Sequence, residues 1–510
     1  MHMFNQKNLV PRLLATMLAV GGLHASAASA ATFQYHHILP GLAISPTAQA
    51  QQVSAEILVA LTGGPALPAG EVNSPYSYDL KQLLSVTGDS SYNASKVSWE
   101  LQSGQLPAGL SLGTDGVLSG IPTAKDAVGS SFQVKATYKS KSGQQAYTII
   151  VNGVVLHVTQ IAAGGSHTCA LTTSGGVKCW GANNYGQLGN NSTTQSLVPV
   201  DVYGLTSGVA SITAGYSHTC AVTNSGGVKC WGLGGYGQLG NNSTTQSSVP
   251  VDVYNLASGV ASVTAGYYHT CALTSSGGAK CWGYNYSGQL GNNSTTNSLI
   301  PVDVYGLTSD TVSVVAGYYH TCAVTTSGGA KCWGTNTLGH LGNNSTTQSK
   351  IPVDVYGLTS GVASLSGGFY HTCAMTTSGG AKCWGSNNYG QLGNNSTTQS
   401  LVPVDVYGLT SGIASVKAGG THTCAITTSG GAKCWGANSY GQLGNSSTAQ
   451  SLIPVDVYSL TSGVSSISAG YNHTCAVTSV GGARCWGLGN SGQLGNYSKT
   501  NSSVPVEPTP

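Results

Sequence analysis

From Val158 to Glu507, short runs of apolar and small residues alternate with clusters of Gly, Ser, Asn and Thr. One block shows the pattern: Val260–Ala265 (VASVTA), His269–Thr274 (HTCALT), Ala279–Gly283 (AKCWG) and Ile300–Val304 (IPVDV). Runs of five or six residues bounded by turn formers read as β-strands, because a helix needs a longer periodic stretch. We call them A, B, C and D. The block recurs without insertion or deletion, its HTC histidine falling at His167, His218, His269, His320, His371, His422 and His473, steps of 51 residues. Four strands per unit and a period in this range predict a β-propeller blade, and seven units predict a seven-bladed β-propeller.

A different pattern precedes the repeats. Phe132, Val134, Ala136 and Tyr138 alternate as in a half-buried strand, and Tyr147, Ile149 and Val151 answer them across SKSGQQ (140–145), which reads as a hairpin connection. Residues 55–156 suit one immunoglobulin-like β-sandwich with Trp99 as core aromatic, and residues 157–507 form the propeller, with a short tail at 508–510. The all-β expectation agrees with a composition rich in Gly and Thr. Residues 31–54, polar and Ala-rich, read as a linker. Residues 1–30 read as an export signal: Lys7 and Arg12, an apolar Leu13–Leu23 and small residues at Ala25–Ala30. That apolar run is shorter than the about 20 residues of a membrane span. The expectation is a secreted, periplasmic or cell-surface protein without a transmembrane segment, in an oxidising space.

Charge narrows the functional classes. Only 6% of residues are charged and the net charge is +3, so no basic stripe marks a nucleic-acid partner. Within the repeats, each copy has one cation beside its second cysteine (Lys178, Lys229, Lys280, Lys331, Lys382, Lys433, Arg484) and one acid in strand D (Asp201, Asp252, Asp303, Asp354, Asp405, Asp456, Glu507). This stoichiometry reads as a repeated ion pair of the scaffold. No second recurrent acid supplies the carboxylate pair that a glycosidase needs, and no catalytic residue or cofactor is predicted.

All 14 cysteines lie in the repeats, two per copy: Cys169 and Cys179, Cys220 and Cys230, Cys271 and Cys281, Cys322 and Cys332, Cys373 and Cys383, Cys424 and Cys434, Cys475 and Cys485. Each pair spans an SGG turn (VGG in the seventh copy), which sets the two opposite each other on neighbouring strands. A disulfide in every blade is the expectation. A zinc site from His269, Cys271 and Cys281, which share one strand face, and reduced buried cysteines are the alternatives. The histidines themselves read as structural, because a catalytic group is needed once, not seven times.

The copies differ in two places. One is the A–B turn before HTC, with Tyr216, Tyr267, Tyr268, Tyr318, Tyr319, Phe369, Tyr370 and Tyr471. The other is the start of the C–D loop, with Asn183, Tyr185, Tyr236, Tyr284, Asn285, Tyr286, Tyr389 and Tyr440. In an up-and-down blade these two loops emerge on one face, so the diversified positions predict a Tyr/Asn-rich binding face.

HTCALTSSGGAKCWGYNYSGQLG at His269–Gly291 resembles the repeat of the regulator of chromosome condensation family, and the likeness covers all seven copies. The resemblance implies a seven-bladed propeller. It does not imply one activity, since the family includes a nuclear nucleotide-exchange factor for a small GTPase and a secreted inhibitor of β-lactamases. LPAGLSL and GVLSGIP, at residues 106–112 and 116–122, resemble immunoglobulin-like modules of bacterial surface proteins, which implies a spacer or adhesion unit. The expectation is therefore a monomeric, non-enzymatic binding or adhesion protein with an extracellular or envelope protein or glycan as partner. The alternatives are an inhibitor of a secreted enzyme, a guanine-nucleotide exchange factor and a carbohydrate-active enzyme.

Overall fold

The computed structural model describes residues 56–153 and 155–509. The expected export signal and linker lie outside the described residues. The first part is built from a four-stranded sheet (Gly70–Glu71, Lys141–Asn152, Asp126–Tyr138, Ser98–Gly104), a three-stranded sheet (Tyr76–Asp79, Val117–Gly120, Leu110–Leu112) and a two-stranded pair (Leu58–Leu61, Leu84–Thr87). Their facing side chains share one core, in which Leu118, Val134, Tyr147, Ile149 and Val151 are fully buried. Trp99 is also in this core. It packs over Gly116, where an added Cβ would lie 2.5 Å from the indole. The hairpin differs from the sequence expectation. Its connection is Lys139–Ser140, not 140–145, and both residues have positive φ (45° and 64°). That is the two-residue turn whose twist matches paired strands, so the SGQQ that follows is free to continue the ladder.

Each 51-residue repeat folds into one antiparallel sheet whose strands pair in chain order, A-B-C-D. Strands A, B and C of the third repeat run Val260–Ala265, His269–Thr274 and Ala279–Gly283, as the pattern predicted. Strand D runs Ser298–Asp303, beginning and ending earlier than expected, because Val304 turns inward and is fully buried in the blade core. Pro301 is tolerated in it because D is the outermost strand and one of its edges carries no ladder. Lys280 and Asp303 are register partners, and their ion pair (2.6 Å) recurs in all seven blades, ending with Arg484 and Glu507. These pairs are largely exposed and contribute little stability.

Neighbouring blades are joined by a recurrent seam. In one copy, His269 Nε2 bonds Thr321 Oγ1 of the next blade (2.9 Å), Thr321 Oγ1 donates to Gln289 O (2.8 Å), and Trp333 Nε1 donates to the same carbonyl (2.9 Å). Because the threonine proton goes to the carbonyl, the histidine must supply the other proton. It is neutral and protonated at Nε2. Burial pushes His269 down to about 3, which agrees. The indole inserts into the preceding blade's core over Gly291, whose φ of +68° leaves room where a Cβ would meet Trp333 Nε1 at 2.6 Å. The seventh blade joins the first in the same way, through His473 to Thr168 and Trp180 to Gln493 O. Every blade therefore keeps its own four strands, and the ring closes without a shared strand.

Candidate binding face

The A–B turns open toward the ring axis. Their first glycines form an iris in which the carbonyls of all but Gly317 accept an N–H from the preceding blade, as in Tyr216 N to Gly266 O and, across the closure, Tyr471 N to Gly164 O. The next position carries an aromatic ring in five blades. Centroids run Tyr216–Tyr267 4.2 Å, Tyr267–Tyr318 4.2 Å, Tyr318–Phe369 5.2 Å, Phe369–Tyr471 4.7 Å and Tyr471–Tyr216 5.8 Å. They make a closed pentagon over the axis. The other two blades have Gly165 and Gly420, where a Cβ would fall 2.4 Å and 2.2 Å from the carbonyl oxygens of Tyr216 and Tyr471. The rings of Tyr216 and Tyr471 lean over Gly165 and Gly420 of the blade before, and the glycines make room for them. Burial among the other rings, and a hydrogen bond with Tyr268, hold the Tyr267 phenol far above its ordinary range, so it stays protonated.

A second tier spreads outward over blades two to four. Tyr236 packs on Tyr268 (4.7 Å) and Tyr284 (5.1 Å), Tyr284 on Tyr319 (5.2 Å) and Tyr286 (5.0 Å). Tyr370 touches Tyr318 at 5.6 Å. Contacts between A–B turn rings and C–D loop rings place the two loop sets on one face. Tyr286 is the most open of these rings at 67% exposure, whereas the A–B turn rings are half-buried against one another. Tyr389 and Tyr440 are exposed but stand outside the stacked field.

Chains of this repeat are known. The description "Regulator of chromosome condensation (RCC1) repeat" matches residues 158–187, 209–238, 174–222 and 225–273, and "RCC1-like domain" matches 258–510. The ultraviolet-B receptor UVR8 of Arabidopsis thaliana is 32% identical over 353 residues, 68% of this chain and 80% of that protein. The chain belongs to the RCC1 repeat family. The E3 ubiquitin-protein ligase HERC2 of Homo sapiens is 33% identical over 285 residues, but the match spans 54% of this chain and only 6% of HERC2. Among solved structures, yeast RCC1 (Prp20), determined bound to Kap60, superposes with a TM-score of 0.59 at 20% identity, covering 70% of this chain and 85% of that one. Human WBSCR16 does so at 0.56 and 22%, covering 65% and 89%. These two likenesses show the fold. Residues 58–152 match "Putative Ig domain".

Within this RCC1-repeat scaffold, several sequence readings change. Asn183 and Asn285, assigned to the binding face, are fully buried. Asn285 Oδ1 accepts Leu290 N (2.9 Å) and its Nδ2 donates to the carbonyls of Ser294 and Thr296 (3.1 and 3.0 Å), so it braces its own loop. Blades two and seven carry Gly234 and Gly489 in that slot, where a Cβ would lie within 2.3 Å and 2.0 Å of a loop carbonyl. The variation there reflects two ways of closing one loop. The zinc alternative fails because each cysteine pair is joined in a disulfide, Cα–Cα 4.0 Å for Cys271 and Cys281, and the histidine Nε2 is engaged across the seam. Comparing copies also passed over six exposed tyrosines at the D–A connections, among them Tyr203, Tyr305 and Tyr356 (62–64% exposed). Their constancy hid them, although an aromatic in the same turn of six of the seven repeats is itself a signal.

Proposed function

We propose that this chain is an exported, non-enzymatic binding protein whose A–B/C–D face takes an extracellular or envelope protein or glycan. The observation that carries this reading is the stacked aromatic field on blades two to four. Rings fixed by their neighbours lose little entropy on binding, and their edges and hydroxyls offer both apolar area and hydrogen bonds. The field is asymmetric on an otherwise repetitive ring, as a specific site requires. Seven disulfides and an Ig-type module support an extracellular setting. No helix among the described residues is long and apolar enough to cross a membrane. The test is capture from envelope and secreted fractions, with a glycan array alongside, comparing the wild type with Tyr268→Ala/Tyr284→Ala/Tyr286→Ala. Loss of one ligand in a variant that keeps its melting transition supports the face. Identical capture by the folded variant overturns it.

A further inference from the structure

Beneath the aromatic pentagon the A strands enclose a chamber of about 290 Å³ on the ring axis. The fifth residue of every A strand lines it. In four blades that residue is Thr213, Thr264, Ser366 or Ser468. Each hydroxyl oxygen accepts a backbone N–H from the next blade: Ala265 N (3.3 Å), Ala316 N (3.1 Å), Ala418 N (2.9 Å) and, across the ring closure, Ala163 N (3.0 Å). An oxygen held as acceptor in this way leaves its own proton to donate, and no protein acceptor takes it among the described residues. Ser466 Oγ, also on the chamber wall, is buried and without a partner.

The sixth blade breaks the pattern. Where its neighbours carry serine, it carries Lys417, the one charged residue among those lining the chamber. The side chain is exposed to the lumen, and desolvation by the surrounding wall holds its amine below the ordinary range. It makes no ion pair among the described residues. A partly desolvated ammonium without a protein counter-charge is left free to pair with an anion that enters the lumen.

We propose that the axial chamber binds one small oxyanion or carboxylate, paired with the Lys417 ammonium and held by hydroxyl protons of the surrounding A strands. The chemistry is one-sided: donors and a cation converge, and no carboxylate lines the wall. The volume admits a small ligand and excludes a peptide. On the pentagon side a smaller space of about 70 Å³ lies between the glycine iris, Tyr216, Tyr267 and Phe369. The site is independent of the binding-face reading, because none of its donors belongs to that face.

Isothermal titration of the full chain with sodium sulfate and with sodium citrate, against sodium chloride at matched ionic strength, tests this. The expected result is saturable binding of one anion per chain for at least one of the two probes. The probe that binds separates an inorganic from a carboxylate ligand. Lys417→Met removes the charge at similar size, and Lys417→Ser installs the residue that the fifth and seventh blades already carry there. Both variants are expected to fold and to lose at least tenfold in affinity. Absence of saturable heat with both anions, or unchanged affinity in either folded variant, overturns the proposal.

Discussion

The buried histidines make stability steeply dependent on pH, and the size of the effect follows from their number. His167, His218, His269, His320, His340, His371, His422 and His473 are buried; burial places seven of them at about 3 or 4 and His320 well below its ordinary value. Unfolded, each titrates near ~6.5. The unfolded chain therefore binds more protons as pH falls below that value, and stability, complete above pH ~7, is lost progressively toward pH ~4. At pH 5.5 the loss is about 1.4 kcal/mol per histidine, or roughly 11 kcal/mol for eight, comparable to the whole stability of a folded domain. His340 isolates the effect. It replaces the glutamine found at this place in the other six repeats, lies 5.3 Å from His320, and leaves its Nδ1 without a partner. In His340→Gln, the fall in urea-unfolding free energy between pH 7.5 and 5.5 is expected to shrink by about 1.4 kcal/mol. Tryptophan fluorescence reads the transition, since the seven propeller indoles are fully buried. A wild-type stability that is flat over this range, or the same fall in the variant, would refute the reasoning.

Two further perturbations probe the scaffold. Thr270→Val keeps the volume but removes the acceptor of His218 Nε2 and the hydroxyl donor to Gln238 O, which retains Trp282 Nε1. An orphaned buried N–H should lower stability by about 1–3 kcal/mol in a denaturant titration at pH 7.5, and a change under ~0.5 kcal/mol there would dissolve the seam as described. Replacing Cys271 and Cys281 together by alanine opens a loop of sequence separation 10 and is expected to lower stability by roughly 2.5–3 kcal/mol through unfolded-state entropy. Chemical unfolding under non-reducing conditions, set against the wild type, checks it.

Much of the blade was legible because its determinants are local. Strands A to C stand at their expected residues since alternation and turn glycines act within a few positions. The cysteines pair because the SGG turn sets Cys271 opposite Cys281 in the B–C register. Where local signals misled, a nearby competitor had won: the positive-φ pair Lys139–Ser140 shortened the hairpin connection, and the inward turn of Val304 ended strand D early. Asn285 was misread for another reason. Its polarity and variability suit a surface, but its amide answers carbonyls of its own loop, up to 11 positions away, which repeat comparison does not weigh.

The sequence by itself determined that this is an all-β chain of seven like blades with one cysteine pair each. A 51-residue period and short alternating runs allow little else. Only the tertiary structure decided what those blades make together. The seam hydrogen bonds join residues 52 apart, such as His269 and Thr321, and the closure joins His473 to Thr168 across 305. Such contacts depend on the curvature of a closed ring, which no local pattern encodes. Closure draws five aromatics into a pentagon, leaves two glycines as gaps, and sets one lysine alone on the axis.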